Sequence, residues 1–361
     1  MKKQLICIML VMVSLMSFAG CKNKEIEVVQ SSEDSSAVVS SKQPQVIVNP
    51  LTGEEDFDSS LIGKRPVAIM VNNVKTAQSV QTGLNNADIV YEAYAEGGIT
   101  RLLAVFKDIS KLEKIGTVRS ARYSYVDLAL GHDAIYTHAG LDPTKCFEHM
   151  KETGIDSFNF LKNGTGYSMR IKNGKVYEHT LYTTGELLNK GYDKIGIRRA
   201  LKKSDTNWQA FVSKDNTVVP SDGSCLEITV PMSGAYVSKF VYDSSSKRYL
   251  RYSGSTPVKD YFTGKQFSFK NVLVLKTDVT YLDDIGYLTK TGLNGGEGYY
   301  ISEGGFQKIK WTKGAAANPI KITKTDGSEC PYNAGNTWVC MMDKTRTETI
   351  IWAPDSTSSA K

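Results

Sequence analysis

Between residues 65 and 140 the chain carries apolar runs that are continuous instead of alternating, and this restricts the folds open to it. Residues 67–71, 88–92 and 102–106 read as short strands. Strands with consecutive hydrophobics need cover on both faces. Helices are therefore expected to pack on them at residues 121–130 and 143–153, the second with Asp142 as N-cap and Pro143 at the first helical position. Glu96-Gly97-Gly98 separates the second and third runs, which predicts a hairpin.

Farther along, Asn173-Gly174 between alternating residues predicts a second hairpin over residues 170–177, followed by short helices at 184–189 and 197–203. Beyond Trp208 strand-like runs recur at 226–230, 236–242, 248–252, 272–275, 299–302, 308–312, 320–323 and 337–341, separated by turn clusters such as Thr325-Asp326-Gly327. The fold class expected is α+β or α/β: an N-terminal mixed sheet with covering helices, then an antiparallel, β-rich C-terminal domain. The boundaries expected are 1–20 for a signal, 21–62 for a tether, 63–205 and 206–345 for the two domains, and 346–361 for a tail.

The first block concentrates polar groups that a solvated loop would not need. Asn72 and Asn73 end a strand, while Arg119-Ser120-Ala121-Arg122 sets two guanidiniums three positions apart. On a helical turn these would share a face and grip a carboxylate or phosphate, helped by free N–H groups if a helix began near Ser120. With Arg101 these residues form a candidate anion site. The alternative is that Arg101, Arg119 and Arg122 pair with Glu92, Glu96 or Asp127 and lock the fold. Glu92 and Glu96 are also candidates for general acid and base work on a glycan, with His138 beside them at a strand end, against a plain turn residue and a core histidine.

Lys2-Lys3, an apolar run over residues 5–18 and Ala19-Gly20-Cys21 have the layout of a secretory signal, the run being short for a membrane span. Cys after Ala-Gly resembles the lipobox of bacterial lipoproteins, with Phe18 where Leu is usual; Cys21 is then lipid-modified, palmitate included. Ser-rich, acid-rich sequence follows, and as a flexible coil residues 22–62 would span about 35 Å. Net charge is +6, and +4 without the signal, distributed as −5 over 22–62, +6 over 63–205 and +3 beyond. This is too weak for nucleic-acid binding and suits an anionic ligand or envelope polymer.

The strings RPVAIMVNN, ADIVYEAYAEGGITRLLAVF, IGTVRSAR and DAIYTHAG, with GEGYYISEGGFQKIKWTKG and YNAGNTWV later, resemble the YerB-like family of bacterial envelope lipoproteins, over residues 63–343. The resemblance implies an envelope address and a two-part fold of unknown function, with no reaction to carry over. This chain departs from it at Leu141-Asp142, where a Gly and a Ser are expected after Gly140. Ser244-Ser245-Ser246-Lys247 and Lys290-Thr291-Gly292 match fragments of penicillin-binding enzymes, but both lie in segments that read as polar turns. No cofactor motif and no metal-ligand spacing is present. Cys330 and Cys340 flank an expected hairpin and are read either as a disulfide or as two buried thiols.

The leading expectation is a lipid-anchored extracytoplasmic binding or scaffold protein of the cell membrane, taking an anionic envelope ligand or an envelope protein, with the enzyme question left open and leaning against catalysis. An envelope hydrolase and a purely structural interaction module are the alternatives.

Overall fold

The computed structural model describes residues 47–55, 57–204 and 207–351; the expected signal, Cys21, most of the expected tether and the expected tail beyond Ile351 lie outside them, while residues 349–351 of that tail pair as a strand with residues 227–229. The chain divides into residues 1–45 and a compact body from residue 46 onward. The longer elements of the body are β1 (Val67–Asn72), β2 (Ile89–Glu96), β3 (Ile99–Phe106), α1 (Tyr123–Leu130), β4 (Ile135–His138), α2 (Lys145–Thr153), β5 (Ser157–Asn159) and α3 (Gly185–Lys194). After these come β6 (Glu227–Pro231), β7 (Val237–Asp243), β8 (Arg248–Ser253), β9 (Asn271–Thr277), β10 (Thr289–Thr291), β11 (Gly296–Ser302), β12 (Gly305–Thr312), β13 (Lys321–Lys324) and β14 (Thr337–Asp343). The result is a sheet-rich α+β fold.

The continuous apolar runs lie in the middle of one large mixed sheet, ordered β12-β11-β9-β14-β2-β3-β1-β4-β5 with β13 on the β12 edge. Both its faces are buried, as alternate residues of one strand show. Val67, Ile69 and Val71 join a core with Leu188 and Tyr192 of α3 and with Ile228, Val230, Phe240 and Tyr249 of a second sheet. Ala68 and Met70 face the opposite core, with Tyr125, Val126 and Leu128 of α1. The second sheet is the antiparallel ribbon β8-β7-β6 and its short neighbours. Trp208, Trp311, Trp338, Tyr300 and Tyr332 are among the fully buried side chains, so these aromatics pack the core and do not present a binding surface.

The β2–β3 hairpin forms as expected, as do the strands of the second block. Several expectations are corrected. The second block is not wholly antiparallel, because β14 runs parallel to both β9 and β2 and joins strands from the two halves of the chain. The folded body begins ahead of Gly63: Leu51 and Thr52 are buried and Asn49 Nδ2 donates to Asp88 Oδ1 at 2.8 Å. Residues 197–203 are not helical, because they pair as extended chain, with Arg65 N donating to Arg199 O and Leu201 N to Gly63 O. No tight hairpin forms at Asn173-Gly174. Asn173 Nδ2 instead ties the loop down, donating to His179 O at 2.7 Å and Tyr182 Oη at 2.8 Å.

α2 starts at Lys145, and Asp142 caps it from outside through a bond from Cys146 N at 2.7 Å. At Gly298, a Cβ would sit 2.2 Å from Val274 O across the β9–β11 pair. Gly298→Ala is accordingly expected to lower unfolding free energy by about 1–3 kcal/mol in urea titrations, because backbone at this position cannot yield without breaking the ladder.

Candidate functional site

Parallel strands β1, β4 and β5 end side by side, bringing Asn72, His138 and Asn159 to their carboxyl ends, where open sheets hold ligands. A strap of residues 117–122 crosses these ends. Backbone bonds hold it: Asn72 N to Thr117 O (2.9 Å), Arg119 N to Met70 O (3.0 Å), Ala139 N to Arg119 O (3.0 Å) and Ala121 N to Gly140 O (2.9 Å). These bonds keep the strap extended, so α1 begins at Tyr123 and Ser120 is not a helix start. Of the N–H groups expected to be free there, Ala121 N is already bonded to Gly140 O.

Arg101 and Arg122 converge on one acid. Glu96 Oε1 accepts from Arg101 Nη2 at 2.5 Å and Arg122 Nη2 at 3.0 Å, and Glu96 Oε2 accepts from Arg122 Nε at 2.6 Å. Burial works to raise the Glu96 carboxyl, but the two guanidiniums outweigh it and hold the group below its ordinary range. Arg101 is pushed down to about 10, by burial first and then by the charge of Arg122. Arg119 differs. Its Nη2 reaches Glu178 Oε2 at 3.4 Å, an acid that is 65% exposed, and its buried Nε has no partner.

The two asparagines part company. Asn72 Nδ2 meets His179 Nδ1 at 2.8 Å beside Arg119, and burial followed by the charge of Arg119 lowers His179 below its usual value. Asn73 Nδ2 turns inward, donating to Thr100 Oγ1 at 2.8 Å and Glu92 Oε1 at 3.1 Å.

Glu92 and Glu96 would share a face of a regular strand, since their separation is a multiple of two. A β-bulge between Tyr94 and Glu96 breaks that periodicity. Glu92 points to the face of the second sheet, where Oε2 accepts from Ser238 Oγ at 2.6 Å and Trp338 Nε1 at 3.2 Å. Glu96 points to the face of α1, toward Arg122. Two carboxylates flanking one glycosidic bond require a shared cleft, and the bulge places these on opposite sides of the sheet.

His138 is buried. Its Nδ1 lies 2.7 Å from Gly140 O, which assigns the proton to Nδ1, and its Nε2 has no partner. Burial pushes it down to about 4, leaving a neutral imidazole at neutral pH. The four cysteines of the body are free and buried. Cys330 belongs to the core on the α1 face and Cys340 to the core on the other, so the sheet separates them and the expected alternative of a disulfide is excluded geometrically. Among the described residues no cluster of three or more His, Cys, Asp or Glu converges as a metal site would. No described helix is long and apolar enough to cross a membrane.

Sequence reasoning missed Ser238, Arg251 and Trp338, which surround Glu92, because they lie 146 or more residues away from it. The β-bulge at Ala95 carries no glycine that would have marked it.

Two family models match the chain: "Protein of unknown function (DUF3048) N-terminal domain" over residues 51–198 and its C-terminal counterpart over 228–339. A relative from Bacillus subtilis (strain 168), named "Putative lipoprotein YerB", is 31% identical over 293 residues, covering 80% of this chain and 84% of its own length. The crystal structure of YerB protein from Bacillus subtilis superposes with a TM-score of 0.71 at 28% identity, covering 84% of this chain and 99% of that one. With both halves matched and a relative 31% identical over most of both chains, this chain belongs to the DUF3048 family.

Proposed function

We propose that this protein is a lipid-anchored, extracytoplasmic binding protein of the cell envelope, held to the membrane through Cys21, whose body takes an anionic group at the carboxyl ends of β1 and β4. The signal-like N-terminus and the name of the relative, a lipoprotein, support the anchor. The observation that carries the binding reading is Arg119. Of the three arginines singled out in the first block, it has a long, solvent-open ion pair and an unbonded Nε. Asn72, Ser120 and His138 stand on the elements around it, while Glu96 already occupies Arg101 and Arg122. A carboxylate or phosphate replacing Glu178 would gain the charge-assisted bonds that this pair makes poorly.

The test is calorimetric titration of the full-length protein in detergent micelles with muropeptides, teichoic-acid fragments and sugar phosphates. Arg119→Ala is expected to weaken binding of the responding compound about 10–100-fold, the worth of a hydrogen bond to a charged group. Its unfolding free energy should change by less than about 1 kcal/mol, since an exposed pair contributes little. Equal affinity in wild type and variant would overturn the reading.

A further inference from the structure

A separate cavity of about 120 Å³ opens between α1 and the C-terminal half of the sheet. Its walls include Ser124 and Asp127 from α1, Lys290 from β10, and Asn294 and Lys313 from loops. α1 lies in the stretch matched by the N-terminal family domain, and both lysines lie in that of the C-terminal one. The cavity thus sits on the seam between them. Lys290 opens the Lys-Thr-Gly triplet, which the sequence places in a turn but whose Lys and Thr the fold draws into β10 along this wall.

Lys313 closes the string GFQKIKWTK and is only 4% exposed. Its Nζ donates to Ala316 O at 2.5 Å and Ala315 O at 3.3 Å, which uses two of the three protons of an ammonium. Among the described residues the acid whose charge acts on it is Asp127, and that carboxylate is already held by His149 Nε2 at 2.8 Å. A buried ammonium without a paired anion is costly. Burial pushes Lys313 down to about 8, so it stays mostly protonated at neutral pH. Lys290 adds a second positive charge at the rim, its Nζ 5.3 Å from the centre of the Tyr123 ring.

Lys313, Lys290 and Asn294, together with an Asp127 carboxylate already held by His149, line a space that can take a small oxyanion and is well below the 300–1,000 Å³ of sites for larger organic ligands. We infer that this cavity is a second anion site, taking a phosphate group between Lys313 and Lys290, either as the free ion or as the terminal monoester of a larger molecule. Lysine serves such a group as a point charge and does not require a planar partner.

The test uses full-length protein in detergent micelles carrying Arg119→Ala, so that binding at the site of β1 and β4 is weakened about 10–100-fold and separates from this one. Inorganic phosphate, glycerol phosphate and acetate are titrated by calorimetry. Phosphate is expected to bind more tightly than acetate. Response to phosphate alone assigns the free ion, and response to glycerol phosphate as well assigns a monoester end. Lys313→Met, which swaps the ammonium for an apolar chain, should weaken phosphate binding by about tenfold or more. Lys290→Ala, a change at the rim that the core tolerates, should weaken it in the same direction and decides the matter if the Lys313 variant does not fold. Phosphate should also raise the titration midpoint of Lys313 followed by NMR at its Cε. Phosphate affinity unchanged by Lys290→Ala, acetate bound as tightly as phosphate, or no binding at all would overturn the assignment.

Discussion

Glu92→Ala is expected to cost this protein about 3–5 kcal/mol of stability, the penalty for leaving a buried charge without its counter-ion. The charge is Arg251 on β8, whose side chain is 2% exposed and lies 3.7 Å from Glu92 Oε2, itself in a side chain 1% exposed. Arg251 packs against the rings of Phe240 and Trp338, with its Nη2 donating to Ser238 Oγ at 2.9 Å and its Nε and Nη1 unbonded. Burial lowers the Arg251 guanidinium from its ordinary value, and Glu92 opposes that shift. Glu92 also accepts from Asn73 and Thr100. This one carboxylate thus pins β2 to the second sheet and to β14.

Urea titration should show a lower midpoint at unchanged slope. Pairing Glu92→Gln with Arg251→Met, which removes both charges, should recover most of the loss. A loss below about 1 kcal/mol in Glu92→Ala would show that the pair is not what holds the two sheets together.

The second large effect is a response to acid whose largest parts come from three buried groups, with a smaller loss from His179 of the same sign as that of the other lowered histidines. His132 bonds Tyr91 Oη at 2.8 Å, and burial pushes it down to about 3; His138 is pushed down to about 4. Below pH 6.5 the unfolded chain takes up protons on these histidines that the folded chain refuses. Their contribution is therefore complete above about pH 6.5 and declines as pH falls toward 4, by about 1.4 kcal/mol per unit for each.

Asp88 works the other way. Burial raises it to about 7 despite bonds from Lys107 N and Asn49 Nδ2, so the folded state binds a proton there that the unfolded state releases down to about pH 4. Protonation of Asp88 returns stability on acidification. Going from pH 7.5 to pH 5, wild type is expected to lose roughly 1 kcal/mol, the small remainder of these opposed effects. Asp88→Asn removes the compensation and should lose roughly 4 kcal/mol over the same interval, whatever its offset at neutral pH. Urea melts at the two pH values measure both slopes. Equal slopes would mean that Asp88 titrates in its ordinary range.

Much of the framework was legible in order along the chain. Continuous apolar runs announced strands covered on both faces, and alternate residues of β1 do enter two different cores. Glu96-Gly97-Gly98 announced the hairpin, and the run at 184–189 announced α3, which extends to Lys194 and is capped by Thr184 through Leu187 N at 3.1 Å. The family strings announced membership. Each of these signals depends on side-chain direction or turn chemistry within a few residues, which the backbone periods of 2.0 and 3.6 fix locally.

The polar chemistry was settled elsewhere. Whether Glu92 and Glu96 share a face depended on one bulged residue, whether three arginines form an anion site depended on which of them Glu96 reached, and whether Cys330 meets Cys340 depended on which side of the sheet each entered. Lys290 and Lys313 come to one cavity because β10 and the loop after β12 both abut α1, far away in sequence. A buried charge takes its partner from whatever the packed core brings within a few ångströms, and in this fold β14 crosses into the first half of the sheet to complete that core. Local pattern therefore determined the elements and their burial, while the pairing of every buried charge was decided by the tertiary structure, because electrostatic partners are chosen by distance in space and dielectric, neither of which a sequence interval encodes.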